Sequence, residues 1–290
     1  MTWRIVVIAS SAKLELNLNR LVIRNENIEK INLSEINTII VESTATAVTS
    51  ALMVELVKRK INVVFCDEKR NPCFSLESFY GSHDTSLKVR NQITWSQYSK
   101  DAVWTEIIKN KIAKQRELLE ENGILSYQKL DEYLREITFK DETNREGHAA
   151  KVYFNSLFGH EFNRNDENPV NASLNYGYTI ILSLFNRTIV SMGYMTQFGL
   201  FHDNMFNNFN LSSDLMEPFR ILVDREVLKM NVKKFDKEVK VKMVSILANE
   251  IYIDGKKQTV TNAINIYVHS VFSAIEKNDI NLIKFYRNEL

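Results

Sequence analysis

Two short stretches carry residue types that could do chemistry together. In "HDNMFNNFNLSSDLMEPFR", residues 202 to 220, His202 precedes Asp214 and Glu217, and the two acids stand three apart. Residues at that spacing share one face of a helix, so both carboxylates can aim at a common point. Hard oxygen ligands suit Mg²⁺ or Mn²⁺, and Mn²⁺ also accepts an imidazole, which His202 can supply from a preceding loop. In "DETNREGHAAKVYFNSLFG", residues 141 to 159, Glu146 is a further acid near a helix start. His148 lies two residues on and therefore points to another face, so it is not read as a ligand. A metal held by such carboxylates would serve as Lewis acid and template.

The same residues have a purely structural explanation. Asp214 at an N-cap with Glu217 at N3 is a capping box, and Pro218 then falls in the first turn, where a missing N–H is harmless. Thr143 and Glu146 repeat the pattern as T-x-x-E. By itself His-x11-Asp-x2-Glu is a weak metal pattern. An acid at a helix start can also face a metal while satisfying an amide, so spacing alone leaves both readings open.

The elements that must position these residues fall in two parts. The first 75 or so residues hold short Ile- and Val-rich runs: "WRIVVIA", "KLELNL", "RLVIR", "INTIIVES" and "INVVFCD". Alternation in "KLELNL" marks a half-buried strand. One helix interrupts them, "TSALMVELVKRK", with Leu52, Leu56 and Val57 on one face. Residues 79–94 contain Gly, Ser and Asp with weak periodicity and are read as a linker. From Trp95 the pattern is helical, beginning with "VWTEIIKNKIAKQRELLEENG" and its glycine stop. Later helices are expected over 144–158, 172–195, 213–230, 235–252 and 257–278. The fold class is therefore α+β: a small β-sandwich-like domain over 1–78, then a larger all-α domain over 95–290 that carries the candidate site.

Bulk properties exclude several classes. The 290 residues, 44% hydrophobic, suffice for a core and for two domains. A net charge of +1 supplies no global field toward DNA or membrane, so any polyanion must meet local basic patches. Two cysteines, Cys66 and Cys73, make neither a disulfide framework nor a Cys-rich zinc site. The first apolar run, Ile5 to Ala9, is shorter than the roughly 7–15 residues of a signal-peptide core. "YTIILSLFNRTIV" is broken by Asn186 and Arg187 and falls short of the roughly 20 residues that span a bilayer. A soluble cytoplasmic protein with no membrane role is expected.

Taken together, "NREGHAAKVYFNSLFG", "NASLNYGY", "MTQFGLFHDN", "FNLSSDLMEPFR" and "LVD" occur in that order between residues 144 and 224. They resemble the CRISPR-associated integrase of spacer acquisition, the larger of the two universal adaptation proteins. The amino-terminal half, with "VVFCDEKRNP" and then "KIAKQ", is similar to that family's layout, and "FYGSHDTSL" looks like its type II subtype. The resemblance implies a prokaryotic, metal-dependent DNA endonuclease and integrase. Its reaction joins the 3′-hydroxyl of a short duplex to a phosphodiester in the repeat array by transesterification. It implies that Glu146, His202 and Glu217 are the catalytic Mg²⁺ or Mn²⁺ ligands, with Asp214 a supporting residue or occasional ligand. It also implies a homodimer, with the β domains as the contact, and a heterohexamer with the smaller universal adaptation protein on double-stranded prespacer and repeat DNA.

DNA contacts are expected from Arg145, Lys151, Arg164, Arg187 and Arg220 around the site, and from Tyr176 stacking on a splayed base. "KNKIAKQR" offers Lys109, Lys111, Lys114 and Arg116 as a further patch or as a merely solvated face. Two other readings stay open: a stand-alone nuclease on branched DNA, and a non-catalytic DNA-binding scaffold whose acids are only caps.

Overall fold

A computed structural model describes residues 4–79 and 82–288. Trp3 of the first expected strand, and Tyr80 and Gly81 of "FYGSHDTSL", lie outside the described residues. The chain forms two compact units, Met1–Thr85 with Val190–Gly193, and Ser86–Ile189 with Tyr194–Leu290.

The first unit contains β1 (Arg4–Ile8), β2 (Lys13–Asn17), β3 (Arg20–Arg24), β4 (Ile28–Asn32), β5 (Ile36–Val41), β6 (Ala47–Val48), α1 (Ser50–Lys58), β7 (Asn62–Cys66) and β8 (Pro72–Ser75). They build two four-stranded sheets, ordered β1-β5-β7-β8 and β4-β3-β2-β6. β5 pairs in parallel with both β1 and β7, and its whole length is buried. A strand covered on both faces needs no polar alternation, which explains why "INTIIV" shows none, although Asn37 and Thr38 are buried with it. α1 is the crossover from β5 to β7, capped by the Thr49 hydroxyl, which accepts the Leu52 amide. Leu18 and Asn19 both take positive φ, the conformation of a tight two-residue hairpin between β2 and β3. Val6, Leu14, Leu21, Ile39, Leu52 and Leu56 share one core drawn from both sheets and α1. β4 escapes the sequence reading because its residues are mostly exposed and its pattern is polar.

The second unit contains α2 (Thr85–Ile93), α3 (Gln97–Glu121), α4 (Tyr127–Glu136), α5 (Arg145–Phe158), α6 (Pro169–Ser191), α7 (Asn210–Leu215), α8 (Arg220–Met230), α9 (Lys237–Ser245), β9 (Glu250–Ile253), β10 (Lys256–Thr259) and α10 (Val260–Lys277). α2 falls within the segment read as a linker. It lacks an apolar stripe because the residue it buries is polar: Gln92 donates to the Met195 carbonyl and accepts the Met195 amide.

This unit is not all-α, as the sequence reading had it. β9 and β10 form a hairpin where helices were expected to run through 252 and from 257. Asp254 and Gly255 both take positive φ, so an Asp-Gly type I′ turn outweighs the helical pattern on either side. α6 packs closely on α8: a Cβ at Gly177 would stand 2.4 Å from Val223 Cγ1. Among the described residues no helix is long and apolar enough to cross a membrane.

Candidate metal centre

Five elements of the second unit bring the candidate residues together. α3 is held along its length by Trp104, Ile107, Ile108, Ile112 and Leu118, all buried, and Lys111 lies on that same inward side. α5 starts one residue before Glu146. The capping box expected there does not form: the cap acceptor is the Asp141 carboxylate, which takes the amides of Arg145 and Glu146 at 2.8 and 2.9 Å. Glu217 opens a 3-10 turn, Glu217–Phe219, directly ahead of α8. Asp214 lies inside α7 instead of capping a helix. Neither acid pair therefore serves the capping role that spacing allowed.

Glu146 and Glu217 converge on one cation. Lys111 Nζ stands 2.5 Å from Glu146 Oε1 and 2.5 Å from Glu217 Oε2. The Arg220 Nε–H donates to Glu217 Oε1 at 2.9 Å. Burial works to raise the Glu217 pKa, but Arg220 and Lys111 outweigh it and hold the carboxyl down at about 2. Burial likewise works to lower the Lys111 pKa, and the two carboxylates reverse this and hold it above its ordinary value.

His202 sits on the loop between α6 and α7. Asp214, fully buried, accepts the amides of Leu200 at 2.6 Å, Phe201 at 3.0 Å and His202 at 3.3 Å. Its Oδ1 also bonds the His202 Nδ1. Gly199 lets the backbone pass over this carboxylate, since a Cβ there would stand 2.8 Å from Asp214 Oδ2 and 2.2 Å from the His202 carbonyl. The bond to Asp214 is the main reason the imidazole pKa is raised; burial opposes it, and the nearby charges of Glu217 and Glu146 add to it. With Nδ1 tied to a carboxylate, Nε2 is the nitrogen left for a ligand. The ring is exposed and stands edge-on to Trp104, with centroids 5.8 Å apart.

Among the described residues no three His, Cys, Asp or Glu side chains already stand at ligating distance from one point. The residue types nonetheless fit a divalent ion. Two carboxylates already meet at a cation, the Lys111 ammonium, and the imidazole lies within the field of both.

The family model for CRISPR associated protein Cas1 matches residues 5–258 of this chain. The chain belongs to the Cas1 family. It is 34% identical over 232 residues to a CRISPR-associated endonuclease Cas1 of Neisseria meningitidis serogroup C (strain 8013), covering 79% of this chain and 76% of the relative. It superposes with a TM-score of 0.76 and 18% identity on a solved casposase bound to integration product, over 97% of this chain and 93% of that one. It also matches a chain of a Cas6-RT-Cas1–Cas2 complex with a TM-score of 0.74 and 18% identity, over 99% of this chain and 36% of that one.

Within this Cas1 fold, the residues expected to touch DNA divide. Arg220 and Arg164 stay beside the acids: their guanidinium groups lie over the Tyr178 ring at 4.8 and 5.5 Å. Both border a cleft of about 190 Å³, together with Lys111, Gln115, Tyr178 and Glu217. Lys151 is exposed on α5. Arg145 pairs with Glu136 at 3.2 Å and lies over Tyr133. Arg187 is half-buried on α6, where burial pulls its pKa down to about 10. Tyr176 corrects the stacking expectation. It is 3% exposed, packed edge-on against Phe235 and under the Lys240 ammonium, so its ring belongs to the core.

The "KNKIAKQR" patch is not an open basic face either. Lys111 and Lys114 are buried, Lys109 pairs with Glu106, and Arg116 pairs with Glu120 and Asp131. The sequence did carry a signal for Lys111: it lies four after Ile107 and four before Gln115, within the apolar stripe of α3.

A further buried carboxylate lies close by. Asp224 on α8 accepts the hydroxyl of Tyr153 at 2.9 Å and the hydroxyl of Tyr178. Burial raises its pKa to about 6, against the bonds from Tyr178 and Tyr153. Asp224 and Glu217 therefore pull stability in opposite directions. Glu217, depressed from 4.5 to about 2, contributes stability that is full above its unfolded pKa and is lost as pH falls through this range. Asp224, raised from 3.8 to about 6, contributes stability that is full below 3.8 and is lost as pH rises through about 6. Each contribution is on the order of 3 kcal/mol. Melting temperature measured against pH should lose its rise between about 6 and 4 in Asp224→Asn. It should lose its fall below about 4.5 in Glu217→Gln.

Proposed function

We propose that this chain is a divalent-metal-dependent DNA endonuclease and integrase, joining the 3′-hydroxyl of a short duplex to a phosphodiester of a repeat array. The observation that carries the reading is the meeting of Glu146 and Glu217, from separate elements, at a single cation 2.5 Å from each. Glu146, Glu217 and His202 would hold Mg²⁺ or Mn²⁺, with Asp214 fixing the imidazole. When bound, the ion would supply Lewis acidity and a template for the reacting phosphate.

The chain's own residues do the rest. Arg220 and Arg164 border the cleft beside Glu217 and bring positive charge to phosphate oxygens there, Arg164 held in place by bonds to the Asn171 and Asn175 side chains. Asp224 anchors the Tyr178 hydroxyl, and the Tyr178 ring backs both guanidinium groups. In the joining step the attacking 3′-hydroxyl loses its proton and forms a new P–O bond. The bond to the leaving strand's oxygen breaks, and that oxygen gains a proton. No side chain need form a covalent link to DNA.

The named relatives support this reading, one described as an endonuclease and one caught with an integration product. The identity to the Neisseria protein supports the type II subtype. The match to a chain from a complex with Cas2 supports the smaller adaptation protein as partner. A homodimer through the β-rich unit, within a heterohexamer on prespacer and repeat duplex, completes the proposal.

The test is strand transfer with a short duplex, a repeat-bearing plasmid, the smaller partner and Mn²⁺ or Mg²⁺. Joined product is expected, and it should vanish with chelator or with a 3′-dideoxy end. Joining that survives chelation, or degradation of the duplex with no joined product, would overturn the reading.

A further inference from the structure

The acid pair already holds a cation that belongs to the chain. Lys111 reaches Glu146 Oε1 and Glu217 Oε2 at 2.5 Å each, and its side chain is only 9% exposed. It rises from the middle of α3, beside buried Ile107, Ile108 and Ile112, so the stem of the side chain is held in the core while the ammonium meets the two acids. Two carboxylates from different elements, brought this close, repel unless a positive charge stands between them. A divalent ion would need the same oxygens. Ammonium and metal cannot both hold them at ligating distance.

We infer that Lys111 is a resident counter-ion, a positioning residue that keeps Glu146 and Glu217 in register in the metal-free protein and competes with the divalent ion for them. This inference rests on the metal reading proposed above. The displaced ammonium has a place to go: Lys111 borders the 190 Å³ cleft it shares with Gln115, Arg164 and Arg220. Two guanidinium groups there make the cleft unfavourable for a third cation until an anionic phosphate enters it. Metal binding and phosphate binding are thereby coupled through one side chain, and such coupling acts equally in both directions.

The experiment is a Mn²⁺ titration of the full-length protein without DNA, reading free Mn²⁺ by electron paramagnetic resonance, with melting temperature on the same samples. Lys111→Met keeps the unbranched apolar stem of the side chain and removes its ammonium. It should bind Mn²⁺ at least about tenfold tighter than wild type, because a charge-assisted pair no longer competes. Its metal-free melting temperature should fall by about 5 °C or more, since buried Glu217 and half-buried Glu146 lose their shared cation, and saturating Mn²⁺ should restore it.

Lys111→Arg should move affinity the other way. Its guanidinium fork pairs with carboxylates better than an ammonium does, so Mn²⁺ binding weakens while the metal-free fold is kept. A lysine that only packs would make Lys111→Met bind Mn²⁺ equally or more weakly, and that result overturns the inference. Should Lys111→Met fail to fold, Lys111→Arg decides alone, and equal or tighter binding overturns it. Wild-type binding with unmoved variants sinks only the role of Lys111. Absence of Mn²⁺ binding in all three proteins sinks the metal reading and this inference with it.

Discussion

Glu217→Gln is expected to lose strand joining by on the order of 10³-fold, because on the proposed reading it ligates the ion that would stabilise the phosphate's charge, a role worth several kcal/mol. DNA binding should persist, since Arg164 and the exposed Lys151 are untouched. The stability effect separates this role from that of a cap. A lost helix cap costs about 1 kcal/mol. Glu217 does more: it is 5% exposed and takes charge from both Lys111 and Arg220. Turning it into an amide leaves a buried ammonium and a guanidinium facing a neutral group. Breaking a buried pair in that way costs about 3–5 kcal/mol. Melting temperature should therefore fall by roughly 10 °C, and joining should be assayed well below it. Joining within tenfold of wild type would remove Glu217 from the reaction.

How far the sequence foretold this site depends on which kind of contact did the positioning. Strands buried on both faces, such as β5, announce themselves by β-branched runs such as "IIV" with no polar alternation. Glu146, His202 and Glu217 were legible as a group only through the ordered motifs around them. Spacing alone supported a cap as well as a ligand for the two glutamates. What decided against the caps was non-local. Asp141 supplies the acceptor at the start of α5, and Asp214 spends both oxygens on the loop from Leu200 to His202. The same limit hid the partners of Lys111. Its place four after Ile107 marks it as inward-facing, but the two acids that pair with it come from distant segments.

Elsewhere the misses follow from turn chemistry and from burial. The "DG" at 254 and 255 was a hairpin signal set between helical patterns, and the turn prevailed. Of the two tyrosines in "LNYGY", Tyr176 was the expected stacking residue. The helix sends one ring against Phe235 and ties the other's hydroxyl to Asp224. Aromatic type is visible in a sequence, but which side of a helix faces the core depends on partners contributed by α8 and the segment before α9.

Asp214→Asn should be the other severe variant, and it acts on the site without touching the reacting atoms. The native carboxylate accepts three amides and the His202 ring, two donors on each oxygen. An amide side chain of the same shape keeps one oxygen. Its NH₂ must then face either the Leu200 and Phe201 amides, donor against donor, or the His202 amide and an imidazole that can accept it only by carrying its own proton on Nε2. At least one hydrogen bond is lost in a fully buried position, a cost of about 1–3 kcal/mol, or roughly 3–10 °C in melting temperature. The imidazole also loses the partner that fixes its tautomer and orientation, which lowers metal affinity and joining by about 10–100-fold. His202→Ala offers the contrast. Its side chain is 45% exposed, and its loss leaves Asp214 with all three amides, so stability changes little. Joining should fall more than 10²-fold, because the proposed ligand itself is gone. Melting temperature and joining measured on both variants separate the two roles. If Asp214→Asn melts and joins like wild type, the loop bearing His202 is held by something other than this carboxylate.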